Sequence, residues 1–455
     1  MKFLFILVAC VGCGSVKDNL NVDAANVDDG ATPDAALPPV NITALTYVGD
    51  GLPELTARIV VTDLANNVVF DGPVDAAGHA QAILPATGGN VTLVRVLADS
   101  PTQLTAALTT VTNVKPGDEV TIGRKALATI TNQGGQTTMS ATFTPTAGAT
   151  QHQFFTTCGT TSVGATSPAT LSFRDSCHGA TFDILGVATG PTLATPRFIK
   201  VANINHVSNG AFAIPGGFST MQNFTVNALN TPAEISTMTV QRASMIENAA
   251  VATQSVTVDG DPAAGTVTTT VPFAQGVGTR SQVGIVLART GAEGNQRHDV
   301  HTANLATSQD IDLGQHELPW ITGITTSANG TSWTVLAPGD QPDGVVLQWS
   351  GRWLDGAKNV SVAWRIANPA VGDIAAVPLP ALPSVLAQFD PAQQTTTVIP
   401  STAIVFMVDF DIVNGYDEFR LQPDTLIEDP EDMGTFIGMP FERRALTVTV
   451  RPPPT

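Results

Sequence analysis

The chain has no cluster of lysines or arginines and no apolar run near the 18 or more residues that a membrane-spanning helix needs. Charge is scarce altogether: 13% of residues are Asp, Glu, Lys or Arg, about half the share usual in soluble proteins. The charge that exists is lopsided, with 39 acids against 21 bases and a net of −18. Such a balance repels nucleic acid and anionic surfaces, so nucleic acid is not an expected partner. The signatures of common chemistry are missing as well. No Gly-x-Ser-x-Gly elbow occurs, and the nearest string, His206-Val207-Ser208-Asn209-Gly210, lacks the first glycine. No glycine-rich phosphate loop precedes a convincing helix, which removes nucleotide-binding units of the Rossmann and P-loop kinds. No fixed-period repeat supports a solenoid or propeller. These absences specify no reaction, metal or cofactor, and the chain reads as a non-enzyme.

What the sequence does have is Thr, Ala, Val, Gly and Pro in abundance. β-Branched side chains suit a pleated surface and Gly and Pro punctuate connections, so this is the composition of strands and turns. At 455 residues the chain exceeds one ordinary domain and favours several units of about 100 to 150 residues. The expected fold class is all-β, with tandem β-sandwich domains of immunoglobulin-like or transthyretin-like kind.

The chain opens with Met1 and Lys2 followed by the apolar run Phe3, Leu4, Phe5, Ile6, Leu7, Val8, Ala9, then Cys10, Val11, Gly12, Cys13. A positive charge before an apolar segment has the form of a secretory signal. It resembles the bacterial lipoprotein signal, in which a Leu-x-Ala/Gly tripeptide precedes an acylated cysteine. Leu7-Val8-Ala9-Cys10 fits by residue type; Cys13 gives the better signal length and leaves an even number of cysteines. The resemblance implies lipidation at Cys10 or Cys13, a membrane partner through that anchor, and an address in the cell envelope on the outer membrane, with secretion as the alternative. Residues 1–13 are the expected signal. Residues 14–39 carry Asp18, Asp23, Asp28, Asp29 and Asp34 without apolar periodicity and read as a disordered acidic linker.

Between residues 40 and 125 strands and turns alternate: Thr56 to Thr62 a strand, Asn66-Asn67 a turn, Val68 to Phe70 a strand, Asp75 to Gly78 a turn, Ala80 to Leu84 and Val91 to Val96 two more strands. Asp75 and Gly78, then Leu84-Pro85, Gly88-Gly89 and the strand after them resemble the carboxypeptidase regulatory-like, transthyretin-type domain. That family's module is usually an accessory that spaces or presents other domains. Short Thr/Val/Ala-rich runs continue as two further sandwiches, 126–217 and 218–317. The segment 318–455 holds all five tryptophans, with late strands at Ile404 to Ile412 and Ala445 to Val450, and makes a fourth.

Four groups of residues could carry chemistry. Cys158 and Cys177 enclose a loop rich in Gly, Ser and Thr, and in an exported chain they are an expected disulfide worth roughly 3 kcal/mol. His298-Asp299-Val300-His301 and His316-Glu317 have the residue types for a metal, although solvated loop histidines are the simpler reading and Pro319 rules out the helical zinc motif. Acids gather at Asp409, Asp411, Asp417 and Glu418 and at Glu428, Asp429, Glu431 and Asp432. Such groups hydrolyse glycosides when correctly opposed or bind calcium, but neither string has the 12-residue calcium loop, and surface solubility accounts for them. Trp333, Trp349 and Trp353 form a candidate stacking platform for a surface glycan or a protein partner if exposed, and core if not. The functional expectation is a non-enzymatic envelope protein with an adhesive, structural or presentation role, with a C-terminal carbohydrate-binding module and an unrecognised hydrolase as alternatives.

Overall fold

The computed structural model describes residues 37–46, 51–123, 136–156, 159–174, 181–246, 249–259, 265–278, 280–303, 305–314, 317–370, 375–422 and 443–451. Of these, about 62% lie in strands and 4% in helix, so the all-β, multi-sheet class expected from composition is the observed one. Helical geometry is confined to the 3-10 turns Ser384–Phe389 and Pro391–Gln393 and the single turn Tyr416–Phe419.

The dominant feature is one sheet of 12 strands. In spatial order these are Ala249–Asp259, Ile235–Ile246, Arg280–Arg289, Asn295–Ala303, Arg443–Arg451, Ile399–Phe410, Gly344–Asp355, Lys358–Asn368, Gln103–Val114, Gly89–Asp99, Arg58–Asp63 and Val68–Pro73. Three widely separated stretches of sequence thus contribute four strands each, joined at two seams. At one, Lys358–Asn368 runs parallel to Gln103–Val114 over nine registered pairs, from Asn359 opposite Gln103 to Ala367 opposite Val111. At the other, Arg443–Arg451 is inserted between Asn295–Ala303, with six registered pairs, and Ile399–Phe410, with eight.

Three small sheets cover this large one. The sheet of His79–Ala82, Val40–Ala44 and Glu119–Ile122 packs Ile42, Ala80 and Val120 against Ile59, Val61, Val91 and Val111, and the same core takes Val346, Phe406 and Val408 from across the parallel seam. On the other face the sheet of Trp320–Ser327, Gly330–Ala337 and Ala376–Pro378 buries Ile321, Trp333 and Val377 against Val60, Val94 and Leu104 together with Leu347, Trp349 and Trp364. Alternation explains the split, because Ile59 and Val61 point one way and Val60 the other. The third small sheet, Gly265–Phe273, Gln222–Thr231 and Ser308–Asp312, closes a core of Phe224, Phe273, Met238, Val240 and Ile285.

The stretch between residues 136 and 220 builds a separate sandwich. Its five-stranded sheet runs Gly159–Val163, Gln151–Thr156, Thr181–Thr189, Arg197–Asn205, Ser219–Thr220 and faces Ala169–Arg174, Gln136–Thr142 and Ala211–Ala213 over a core of Phe143, Phe154, Leu171, Phe182 and Ile184. His152 is fully buried there: its Nε2 accepts from the Thr146 amide at 3.0 Å and its Nδ1 lies 3.0 Å from the Gly164 carbonyl. Among the described residues this sandwich shares no sheet with the rest. It meets the neighbouring sandwich through the side-chain cluster Leu185, Val187, Met221, Ile246, Ala252, Ala274 and Val277.

The first turns behave as their residues dictate. Asp75 accepts from the amides of Ala77 and His79, each at 2.8 Å, and Gly78 at φ +81° lies where a Cβ would come within 2.7 Å of the Ala44 carbonyl. The expected strand at Val68 to Phe70 lies inside Val68–Pro73, and that at Val91 to Val96 inside Gly89–Asp99.

Candidate functional site

In the middle of the large sheet, four adjacent strands leave one face uncovered toward one of their ends. Register sets what meets there. Arg352 lies opposite Ile399 on one side and Ser361 on the other, and one step along, Leu354 lies opposite Asn359, which in turn lies opposite Gln103. These six residues share a face and are exposed, while the alternating Trp353 and Val360 belong to the core beneath. Thr102, Thr396 and Thr397 complete the rim of a cavity of about 730 Å³, a size suited to a small ligand. The Thr396 hydroxyl donates to the Leu354 carbonyl and fixes that side of the rim.

The chemistry of this groove is unlike that of the chain as a whole. Its wall offers two carboxamides, four hydroxyls and one guanidinium, and no carboxylate. Arg352 makes no side-chain hydrogen bond or ion pair among the described residues. Two aliphatic side chains, Leu354 and Ile399, are 50% and 44% exposed on the same surface. Beside the groove, Lys358 is already paired with Asp99.

Of the three candidate tryptophans, Trp353 is among the residues lining the groove, and its side chain belongs to the core beneath. Trp333, Trp349 and Trp353 are 5%, 1% and 4% exposed, so of the two readings the sequence left open they are core, and the candidate stacking platform is corrected: no ring offers a face that a sugar could cover. The local cause is visible at Gly351, where a Cβ would fall 2.2 Å from the Trp349 ring. Only glycine lets that indole lie down along its own strand. Trp349 Nε1 donates to the Ser327 carbonyl at 3.1 Å, and Trp364 Nε1 donates to the Thr110 hydroxyl at 2.9 Å.

The histidine string is also relocated. His298, Asp299 and His301 sit on the interior strand Asn295–Ala303 and are 2%, 0% and 7% exposed, which corrects the reading as solvated loop residues. Alternation sends Asp299 and His301 to one face and His298 to the other. Asp299 is paired with Arg297 at 2.9 Å. Glu317 accepts from Trp320 Nε1 at 2.8 Å, and His316 lies outside the described residues. No group of three or more His, Cys, Asp or Glu that could hold a metal occurs among the described residues.

The first acidic group divides into distinct roles. Asp343, which sequence reading passed over, is buried and accepts from the amides of Phe410 and Gly415, each at 2.8 Å; burial, with Asp409 and Glu418 nearby, pushes its pKa up to about 6. Asp409 is raised mainly by burial and further by Asp340 and Asp411. Asp417 is held low by hydrogen bonds from Lys115 and Arg420. Glu418 accepts from the Asn414 amide at 2.9 Å. The second group, Glu428 to Asp432, lies outside the described residues, as do Cys10, Cys13, Cys158 and Cys177 and the disulfide and lipid sites expected on them.

The groove residues had a partial signal in the sequence. The alternation Arg352, Trp353, Leu354 followed by Asn359, Val360, Ser361 across the turn at Gly356 is that of a hairpin with one wet face. Gln103 could not be found that way, since it arrives through a pairing between distant segments.

No family model matches the chain, and no curated protein matches it. Among solved structures, similarity is found to the Bacillus anthracis TIE protein, at 10% identity and a TM-score of 0.15 over 61% of this chain and 50% of that one. A candidate adhesin from Bacteroides ovatus is similar at 8% identity and a TM-score of 0.15, over 59% of this chain and 84% of that one. The chain thus spans about half the length of the Bacillus anthracis protein. At this level of superposition neither likeness carries an inference.

Proposed function

We propose that this chain is a non-enzymatic cell-envelope protein, acylated at Cys10 or Cys13 and held off the membrane by the acidic segment that follows, whose folded body serves adhesion, structure or presentation. The observation that carries this reading is the continuous 12-strand sheet. Tandem sandwiches joined by linkers swivel by default; here, turning one sandwich against the next would break a ladder of backbone hydrogen bonds. That is a body suited to holding a surface at a fixed place and orientation. The titratable groups fit the same reading, since Asp343, Asp299 and Asp417 are engaged in amide caps and ion pairs. No helix among the described residues is long and apolar enough to cross a membrane.

Intact mass of the membrane-extracted protein tests this, compared with Cys10→Ser and Cys13→Ser. A mass carrying diacylglycerol and an acyl chain, lost in one variant, is the expected result. An unmodified mass in all three contradicts the anchor. A hydrolytic activity abolished by one acid or histidine substitution contradicts the non-enzymatic assignment.

A further inference from the structure

We propose that the open-face groove around Arg352 binds an acidic saccharide, the guanidinium pairing with a ring carboxylate while the neighbouring amides and hydroxyls take the sugar hydroxyls. The inference deepens the adhesive reading above and rests on it.

Three observations lead there. First, in a chain with 39 acids and 21 bases the wall of this groove holds one guanidinium and no carboxylate, so the charge that a ligand meets in direct contact is positive. Second, Arg352 is free to bind, with no protein partner among the described residues; an unpaired guanidinium presents a planar fork of donors that matches a carboxylate bidentately. Third, the rest of the wall is neutral and hydrogen-bonding. Gln103, Asn359, Ser361, Thr396 and Thr397 supply donors and acceptors to a polyol, whereas a phosphate or sulfate site would call for more cations. Leu354 and Ile399, half exposed on the same surface, give the apolar C–H edge of a pyranose something to rest on. The sheet supports four of the lining strands in fixed register, so little ordering is needed on binding.

The test is calorimetric titration of the whole chain with tetragalacturonate and tetramannuronate, their methyl-esterified forms, and tetraglutamate. The expected result is binding of at least one uronate oligomer, at least tenfold weaker binding of its ester, and none of tetraglutamate. Arg352→Gln should abolish the preference for acid over ester, and Asn359→Ala with Ser361→Ala should weaken both. Arg58→Gln, on the strand next to the sheet's edge and paired with Asp71, should leave binding unchanged. Arg352, Asn359 and Ser361 are exposed and Arg58 is half-buried, and an unchanged thermal midpoint shows that the variants fold. Silence toward both uronates, equal binding of tetraglutamate, or an unaffected Arg352→Gln overturns the proposal. A chain that is acylated yet silent here keeps its envelope assignment and loses the groove, so the two failures are distinct.

Discussion

The sandwich of residues 136–220 and the sandwiches of the large sheet are attached to the rest of the chain in different ways. The first rests on a neighbour through apolar side chains around Met221 and Val277. At the parallel seam, by contrast, nine backbone pairs are reinforced by cores that cross on both faces. There the Tyr416 hydroxyl lies 3.0 Å from the Thr112 carbonyl and 2.8 Å from that of Ala367, and Arg420 reaches Asp118 at 2.8 Å. Side-chain contact resists separation but tolerates small rotations, whereas a hydrogen-bonded ladder has one register and resists both. Flexibility in this molecule should therefore concentrate at one joint.

The largest effect is expected from truncation after residue 442. Removing Arg443–Arg451 breaks the ladders to both neighbours and divides the 12-strand sheet. The unfolding endotherm should lose cooperativity, splitting or shifting by more than about 10 °C, since even a few kcal/mol moves a domain of this size by several degrees. An unshifted single transition would break the contrast between the two kinds of joint. Met221→Ala addresses the other side. Truncating a buried methionine costs about 3 kcal/mol, and the loss should appear as an earlier transition of the 136–220 sandwich while hydrogen exchange in the large sheet stays unchanged.

Asp343 sharpens the comparison through pH. Its pKa is raised by burial from the ordinary 3.8 to about 6, so the folded state holds the proton more tightly than the unfolded one. Stability from this group is fully present below pH 4 and is lost as pH rises to about 6. Urea midpoints between pH 4 and 7 should fall with rising pH, by roughly 2 kcal/mol in total, and Asp343→Asn should flatten the slope. A slope that survives the substitution assigns it to other groups, Asp409 first. The smallest effect belongs to Tyr416→Phe, which deletes one hydroxyl at the parallel seam. A loss of about 1 kcal/mol is expected, read as a lower urea midpoint with the transition still single.

Much of the fold class was legible in the sequence, because β-branched residues at period two and turn glycines act locally. Ala445 to Val450 was recognisable as a strand, and Asp75 and Gly78 as a turn. The partners of those strands were not legible. Trp364 reaches Thr110 across 254 residues of sequence, and no local pattern encodes that pairing. The same limit explains the misplaced chemistry. His298 and His301 look like loop residues because they are polar, but a strand interior to a sheet covered on both faces buries polar groups too when they find partners. Trp333, Trp349 and Trp353 could be read as a binding face or as core because composition does not say which way a ring points; Gly351 lets the Trp349 ring lie along its strand.

Backbone hydrogen exchange of the intact chain tests the shared sheet most directly. Amides of 359–367, 103–111 and 443–448 should exchange as slowly as the strand Gly344–Asp355, opening only with global unfolding, while the sandwich of residues 136–220 opens earlier. Seam amides that exchange at loop rates, ahead of the strands on either side, would contradict the account and leave a row of separate sandwiches.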